Sequence, residues 1–239
     1  MTTIVVVGSL NMDFVVGVER LPAPGETVLG RDFQMLPGGK GANQACAAAR
    51  LAAGSVQVRM VGRVGYDTFG DHLKASLSAA GVDVSAVHAT RSDATGVALI
   101  PVDSSGQNCI VVAPGANHAL VASETEAVLR GARLVLFQLE SPLDTVMAAL
   151  KIAHDEGART ILDPAPAQPL PAELLANVDI LTPNESEASF LLHLPPQRIA
   201  PSDAPEFARS LRQRGPAAVV LKPSSPLPPF VVKSPLVIN

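Results

Sequence analysis

The chain has 239 residues with a formal net charge of −4, 47% hydrophobic and 17% charged residues, enough for a large α/β domain with a substantial core and far from the composition of a disordered chain. No stretch reaches the ~18 consecutive apolar residues of a membrane span. Mild acidity, with seven Phe, one Tyr and no Trp, argues against a nucleic-acid surface, which needs phosphate neutralisation and stacking platforms, so the expected partner is a small molecule.

Residues 4–7 are a short β-branched apolar run, the pattern of a strand buried on both faces of a parallel sheet. No Lys or Arg precedes Arg20 and Asp13 comes early, so no signal-peptide pattern is read here. Similar runs recur at 56–61, 134–139, 160–162, 178–181 and 218–221. Helical patterns lie between them. Residues 42–53 are alanine-rich; 68–80 place Phe69, Leu73 and Leu77 on one face before Gly81. Ser123 with Glu126 has the form of a capping box, and Ser141-Pro142 offers a cap with proline at the first helical position before 143–156. The alternation predicts a parallel sheet with crossover helices. Two segments break the rhythm, about 14–36 and 95–112, where hairpin patterns meet at Pro24-Gly25 and Asp103-Ser104-Ser105-Gly106. They predict one small antiparallel sheet beside the main one, placed as a lid.

Proline is unevenly spread. Of 21 prolines ten lie between Pro195 and Pro235, the last glycine is Gly215 and the last acid is Glu206. Residues 223–239 therefore read as a Pro-rich tail unlike the body at 1–222. The two cysteines, Cys46 and Cys109, allow no disulfide framework, and a reducing cytoplasm is expected.

The densest chemical signal is Pro37-Gly38-Gly39-Lys40-Gly41-Ala42-Asn43, a glycine-rich turn that opens a helix. Such glycines let backbone approach a ligand, and Lys40 and Asn43 add polar groups to the rim. It is neither a phosphate-binding Walker loop nor a dinucleotide fingerprint, and an ordinary glycine-rich helix start would look the same. Asn11 and Asp13, after the first strand, lie where ligands bind in open α/β sheets; a carboxylate with an amide suits hydroxyl groups, although an Asx turn would need no ligand. Glu140 follows the 134–139 strand in the same way. Asn184 with Glu187 is either a plain capping box or part of a metal-bound phosphate network. The five histidines show no HExxH spacing, and no G-x-S-x-G elbow or CxxC pair occurs. Cys46 reads as a small core residue.

These pieces occur in one order: Gly8-Ser-Leu-Asn-Met-Asp13, Leu21-Pro-Ala-Pro-Gly-Glu-Thr27, Pro37-Gly-Gly-Lys-Gly-Ala-Asn43, Gly62-Arg-Val-Gly-Tyr-Asp67, Gln138-Leu-Glu140, Asp163-Pro-Ala-Pro-Ala167 and Asn184-x-x-Glu187. Together, over residues 3–222, they resemble the ribokinase-like members of the PfkB carbohydrate kinases. The resemblance implies a doubly wound, mostly parallel sheet flanked by helices, with a small antiparallel β lid that also forms a homodimer contact. It implies sugar hydroxyls bound at Asn11, Asp13, Gly39, Lys40, Asn43 and Glu140, with ATP phosphates organised at Asn184 and Mg2+ at Glu187. The implied reaction moves the γ-phosphoryl group of ATP to the primary hydroxyl of ribose, which requires positioning, charge neutralisation and a base.

The family's Gly-Ala-Gly-Asp motif, whose aspartate is the base, does not occur in the sequence, and no catalytic residue is assigned. With the break at Pro223, this marks the C-terminal part of the fold as missing and the tail as truncated or frameshifted. Two functions are expected in competition: a ribose kinase, and a sugar-binding or dimerising remnant without turnover; another sugar or nucleoside is a further alternative. No membrane or nucleic-acid partner is expected.

Overall fold

The computed structural model describes residues 2–52, 54–222 and 230–233. In chain order the elements are β1 (Thr3–Val7), β2 (Asn11–Gly17), β3 (Arg31–Gly38), α1 (Lys40–Ala52), β4 (Gln57–Gly65), α2 (Thr68–Ala79), β5 (Val82–Thr90), β6 (Gly96–Val102) and β7 (Val111–Ala113). A 3₁₀ turn, Gly115–Ala119, leads to α3 (Ser123–Leu129), β8 (Leu134–Phe137), α4 (Leu143–Asp155), β9 (Arg159–Leu162), α5 (Ala172–Leu175), β10 (Ile180–Leu181), α6 (Glu185–Leu191), α7 (Ala204–Arg212), β11 (Ala218–Leu221) and β12 (Phe230–Lys233).

Alternation along β1 explains the layers. Val5 and Val7 pack with Phe137, Val146, Leu150, Leu162 and Leu181 on one face of the main sheet, while Val6 packs with Met60, Ala45, Leu73 and Leu77 on the other. The β-branched runs are thus buried on both sides, as in a covered parallel sheet. The order is β12-β11-β10-β9-β8-β1-β4-β5. Neighbours are parallel except β12, which runs antiparallel to β11. The chain first moves outward from β1 to β4 and β5, then returns to the other side of β1 and proceeds through β8 to β11. The winding reverses between β1 and β8, the place where doubly wound sheets open a crevice at their carboxyl ends.

The second sheet has the order β3-β2-β6-β7. It is mixed rather than antiparallel, because β2 pairs with β6 in parallel from Asn11↔Gly96 to Gly17↔Val102. The reason is topological: β2 follows β1 and β6 follows β5, so both leave the carboxyl edge of the main sheet in the same direction. The first lid strand starts earlier than its hairpin pattern suggests, at Asn11, whereas β6 begins at Gly96, beside the expected start at 95.

Other local expectations change for identifiable reasons. β5 carries Asp83, Ser85 and His88 among its apolar residues, which hides an edge strand from a search for continuous apolar runs. Ser123 is already inside α3 and makes no cap; instead Glu124 accepts the Val121 N–H and pairs with Arg63. Before α4, Pro142 takes the capping position and Ser141 supplies no cap bond. The helix at 68–80 begins as its residues predict, with the Asp67 carboxylate accepting the Gly70 N–H, and Gly81 follows it at φ +85°. The expected Pro-rich tail falls largely on 223–229 and 234–239, outside the described residues. Among the described residues no helix is long and apolar enough to cross a membrane.

Candidate functional site

The β1–β8 crevice gathers the polar residues that follow those strands. Glu140, three residues beyond β8, is the hub: its Oε2 accepts from Ser9 Oγ at 2.6 Å, Asn11 Nδ2 at 3.3 Å and the Lys40 N–H at 3.4 Å. Its Oε1 lies 3.3 Å from Lys40 Nζ. Ser9 is fully buried and also accepts the Gly41 N–H at 3.4 Å. A carboxylate collecting donors from three segments holds β1, the start of α1 and β8 to one geometry.

The glycine-rich turn fits because it has no side chains. Gly39 has φ +93°, and a Cβ there would stand 2.7 Å from the Asn11 nitrogen and 2.8 Å from the Ser9 oxygen. At Gly38 a Cβ would lie 2.0 Å from Asp13 Oδ2. The two glycines therefore let α1 begin against the floor of the crevice and let the Asp13 carboxylate lie over the turn. Asp13 is half-buried, and its pKa is raised, by burial first and then by the nearby Glu140 charge, with Lys40 pulling the other way. Two acids and one ammonium around a partly dehydrated space suit a neutral, hydroxyl-rich ligand better than an anion.

Asn43 is placed differently. It lies one turn into α1, exposed, and lines a cavity of about 350 Å3 between α1 and α2 together with Pro37, Cys46, Arg50 and Ser76. Cys46 is thus partly exposed at a cavity wall as well as packed against the core.

A second cluster follows β9, β10 and β11. Asn184 and Glu187 form the reciprocal capping box of α6: Asn184 Oδ1 accepts the Glu187 N–H, and Glu187 Oε2 accepts the Asn184 N–H, both at 2.8 Å. Lys222, just past β11, donates to Asp163 Oδ1 at 2.8 Å. Burial is the largest influence on Glu187 and leaves its pKa raised; the Asn184 N–H hydrogen bond lowers it, the Asp163 charge raises it, and the Lys222 and Lys40 charges lower it. Both clusters follow the carboxyl ends of neighbouring parallel strands of the main sheet, and the Lys40 charge lowers the pKa of Asp13 and of Glu187. Among the described residues no group of three or more His, Cys, Asp or Glu is close enough to cage a metal ion. A carboxylate such as Glu187, with Asp163 near it, still fits Mg2+, which is commonly bound by one or two carboxylates, waters and substrate phosphates.

Sequence patterns pointed to Asn11, Asp13, Gly39, Lys40, Asn43, Glu140, Asn184 and Glu187. The structure joins Asn11, Lys40 and Glu140 directly, sets Asp13 beside them and leaves the Asn43 side chain toward a different cavity. Ser9, Asn117 and Lys222 had no assigned part. Ser9 lies inside the Gly8–Asp13 motif, whereas Asn117, in the 3₁₀ turn after β7, and Lys222, in a bridge to Asn184 just past β11, have partners remote in sequence.

A family description, pfkB family carbohydrate kinase, matches residues 1–225. The chain belongs to the pfkB family. Within it, this pfkB chain is similar to the ribokinase of Haemophilus influenzae, 43% identical over 192 residues that are 79% of this chain and 62% of the relative. It is similar to the Bacillus subtilis ribokinase at 45% identity over 197 residues, 80% of this chain and 65% of the relative. It thus spans less than two thirds of the length of these curated relatives. A structure of Arabidopsis thaliana ribokinase complexed with ribose and ATP superposes with a TM-score of 0.82 at 35% identity, covering 93% of this chain and 72% of the other.

Proposed function

We propose that the crevice between β1 and β8 binds D-ribose and that the protein is an ATP-dependent ribose kinase, transferring the γ-phosphoryl group to the sugar's primary hydroxyl. The observation that carries this reading is the Glu140 hub with Asp13 near it, two acids and the Asn11 amide at a winding reversal in a chain similar to ribokinases. Carboxylates accept from sugar hydroxyls, Asn11 donates to them, and Lys40 offsets the accumulated negative charge. Gly39 leaves room for the sugar to reach the turn. Asn43 is kept as a sugar contact in this reading, which requires its exposed side chain to change rotamer when the ligand binds.

The nucleotide is assigned to the adjoining cluster, with Asn184 toward the phosphates and Glu187 toward Mg2+. The ion would neutralise phosphate charge there. The capping box already fixes both side chains, so their preorganisation costs no further ordering. The sequence contains no Gly-Ala-Gly-Asp motif, and a preparation of these 239 residues is expected to bind ribose with very little turnover.

The lid is assigned to a homodimer. Phe33, Met35, Leu99, Ile110 and Val111 are each more than half exposed on or beside this sheet, and Met35, Leu99 and Val111 fall in one cross-strand row through Phe14, exposed apolar surface of the type that partners cover. Both cysteines are free, in keeping with action in a reducing cytoplasm.

The deciding experiment incubates the purified chain with ATP, Mg2+ and a panel of pentoses, hexoses and nucleosides, with calorimetric binding in parallel. Ribose binding with weak or absent phosphorylation supports the reading. Selective binding of another sugar or of a nucleoside would reassign the substrate, and turnover at ~1–100 s⁻¹ would overturn the expectation of low activity.

A further inference from the structure

The base of the lid converges on one buried side chain. Asn117, 1% exposed, lies in the 3₁₀ turn after β7. Its Oδ1 accepts the Leu10 N–H at 2.8 Å, and its Nδ2 donates to the Leu10 and Pro114 carbonyls, each at 3.0 Å, and to Asn11 Oδ1 at 2.8 Å. Backbone groups have fixed polarity, so they decide which end of the Asn117 amide is oxygen. That choice propagates: Asn11 Oδ1 must face Asn117, and Asn11 Nδ2 must face Glu140 Oε2, 3.3 Å away. The opposite orientation of Asn11 would set nitrogen against nitrogen and oxygen against a carboxylate, at a residue only 2% exposed, where no water compensates. Gly96 at the start of β6 makes the arrangement possible, because a Cβ there would stand 2.3 Å from Asn11 Oδ1 and 2.4 Å from Asn117 Nδ2.

We propose that Asn117 is a positioning residue, which sets the Asn11 amide so that it presents a donor to Glu140 and to the sugar, and ties that orientation to the base of the lid. It touches no sugar itself. This inference rests on the sugar site proposed above, and its test separates the two.

Ribose affinity is measured by calorimetry for the unaltered chain, Asn117→Ala, Asn11→Ala and the double variant. The Asn11 side-chain amide, recognised by its absence from the NMR spectrum of Asn11→Ala, is followed by hydrogen exchange. Asn117→Ala weakens ribose binding ~10-fold or more, adds less than about twofold in the Asn11→Ala background, and makes the Asn11 amide exchange markedly faster. Additive losses in the double variant, or an Asn11 amide as protected as before, would overturn the proposal. Asn117→Ser takes the same measurements if Asn117→Ala does not fold. If the unaltered chain does not bind ribose, the sugar reading fails, and exchange at Asn11 alone decides: unchanged protection in the Asn117 variants refutes the positioning role, and lost protection upholds it.

Discussion

Glu140→Gln perturbs the crevice at its hub with almost no change in volume. In the native chain one carboxylate oxygen collects Ser9 Oγ, Asn11 Nδ2 and the Lys40 N–H, and the other faces Lys40 Nζ. An amide offers a single acceptor end. If its oxygen faces Asn11 and Lys40 N–H, its NH2 faces the Lys40 ammonium; turned the other way, it opposes donors with a donor. Hydrogen bonds to a charged group contribute about 1.5–3 kcal/mol, and losing one such bond from a bound sugar weakens ribose binding roughly 10- to 150-fold. The substitution has a second signature at Asp13, whose pKa is raised by burial first and by Glu140 second. Without the Glu140 charge, Asp13 titrates at lower pH than in the native chain while burial still holds it above the ordinary range. A carboxyl with a raised folded pKa makes the fold less stable as pH rises from its unfolded pKa, ~3.9, through its folded pKa. Glu140→Gln narrows that window. Calorimetry with ribose and a carbon-detected titration of the Asp13 carboxyl measure the two effects. Unchanged ribose affinity together with an unmoved Asp13 midpoint would refute the assignment of Glu140 as the hub.

Three further variants test neighbouring parts. Gly38→Ala drives a methyl into the Asp13 carboxylate, so ribose affinity falls at least ~10-fold while the fold is retained; circular dichroism and calorimetry together check this, and native affinity would show that Asp13 does not need its place over the turn. Asp67→Ala removes acceptors for the Gly70 N–H and for both the N–H and Oγ1 of Thr95, lowering stability by ~1–3 kcal/mol in urea unfolding. Burial pulls the Asp67 pKa upward, but the Thr95 and Gly70 hydrogen bonds outweigh it and leave it lowered. Its stabilisation is therefore present above the unfolded pKa and fades as pH falls through the folded one, and an acid unfolding curve unchanged by Asp67→Ala would contradict this. Val111→Asp places a charge on the exposed apolar face of the lid and shifts sedimentation toward the monomer; a native chain already monomeric at micromolar concentration would remove the homodimer proposal.

The main sheet was legible because its strands are buried on both faces, so runs such as Val5-Val6-Val7 and Leu134–Phe137 stand out without knowledge of their neighbours. β5 was not, since an edge strand tolerates Asp83 and His88. The mixed character of the lid is not written in the local sequence: hairpin signals at Pro24-Gly25 and Asp103–Gly106 describe local antiparallel pairs, whereas the β2–β6 pairing joins segments some 85 positions apart along the register Asn11↔Gly96. At the site, Asn11, Asp13, Lys40 and Glu140 sit in compact motifs that mark themselves. Asn117 does not, because its role depends on backbone groups of Leu10, 107 positions away. The capping box at Asn184 and Glu187 is written in the local sequence and forms as written, while the one suggested by Ser123 and Glu126 does not, because α3 already includes Ser123 and Arg63 draws Glu124 toward the sheet.

A calorimetric titration of the 239-residue chain with D-ribose, beside Asp13→Ala, tests the sugar site most directly. Saturable 1:1 binding by the native chain, abolished in a folded Asp13→Ala variant, is the predicted result. A folded native chain that takes up no ribose, or an Asp13→Ala variant that binds it with unchanged affinity, would contradict the placement of the sugar in the β1–β8 crevice.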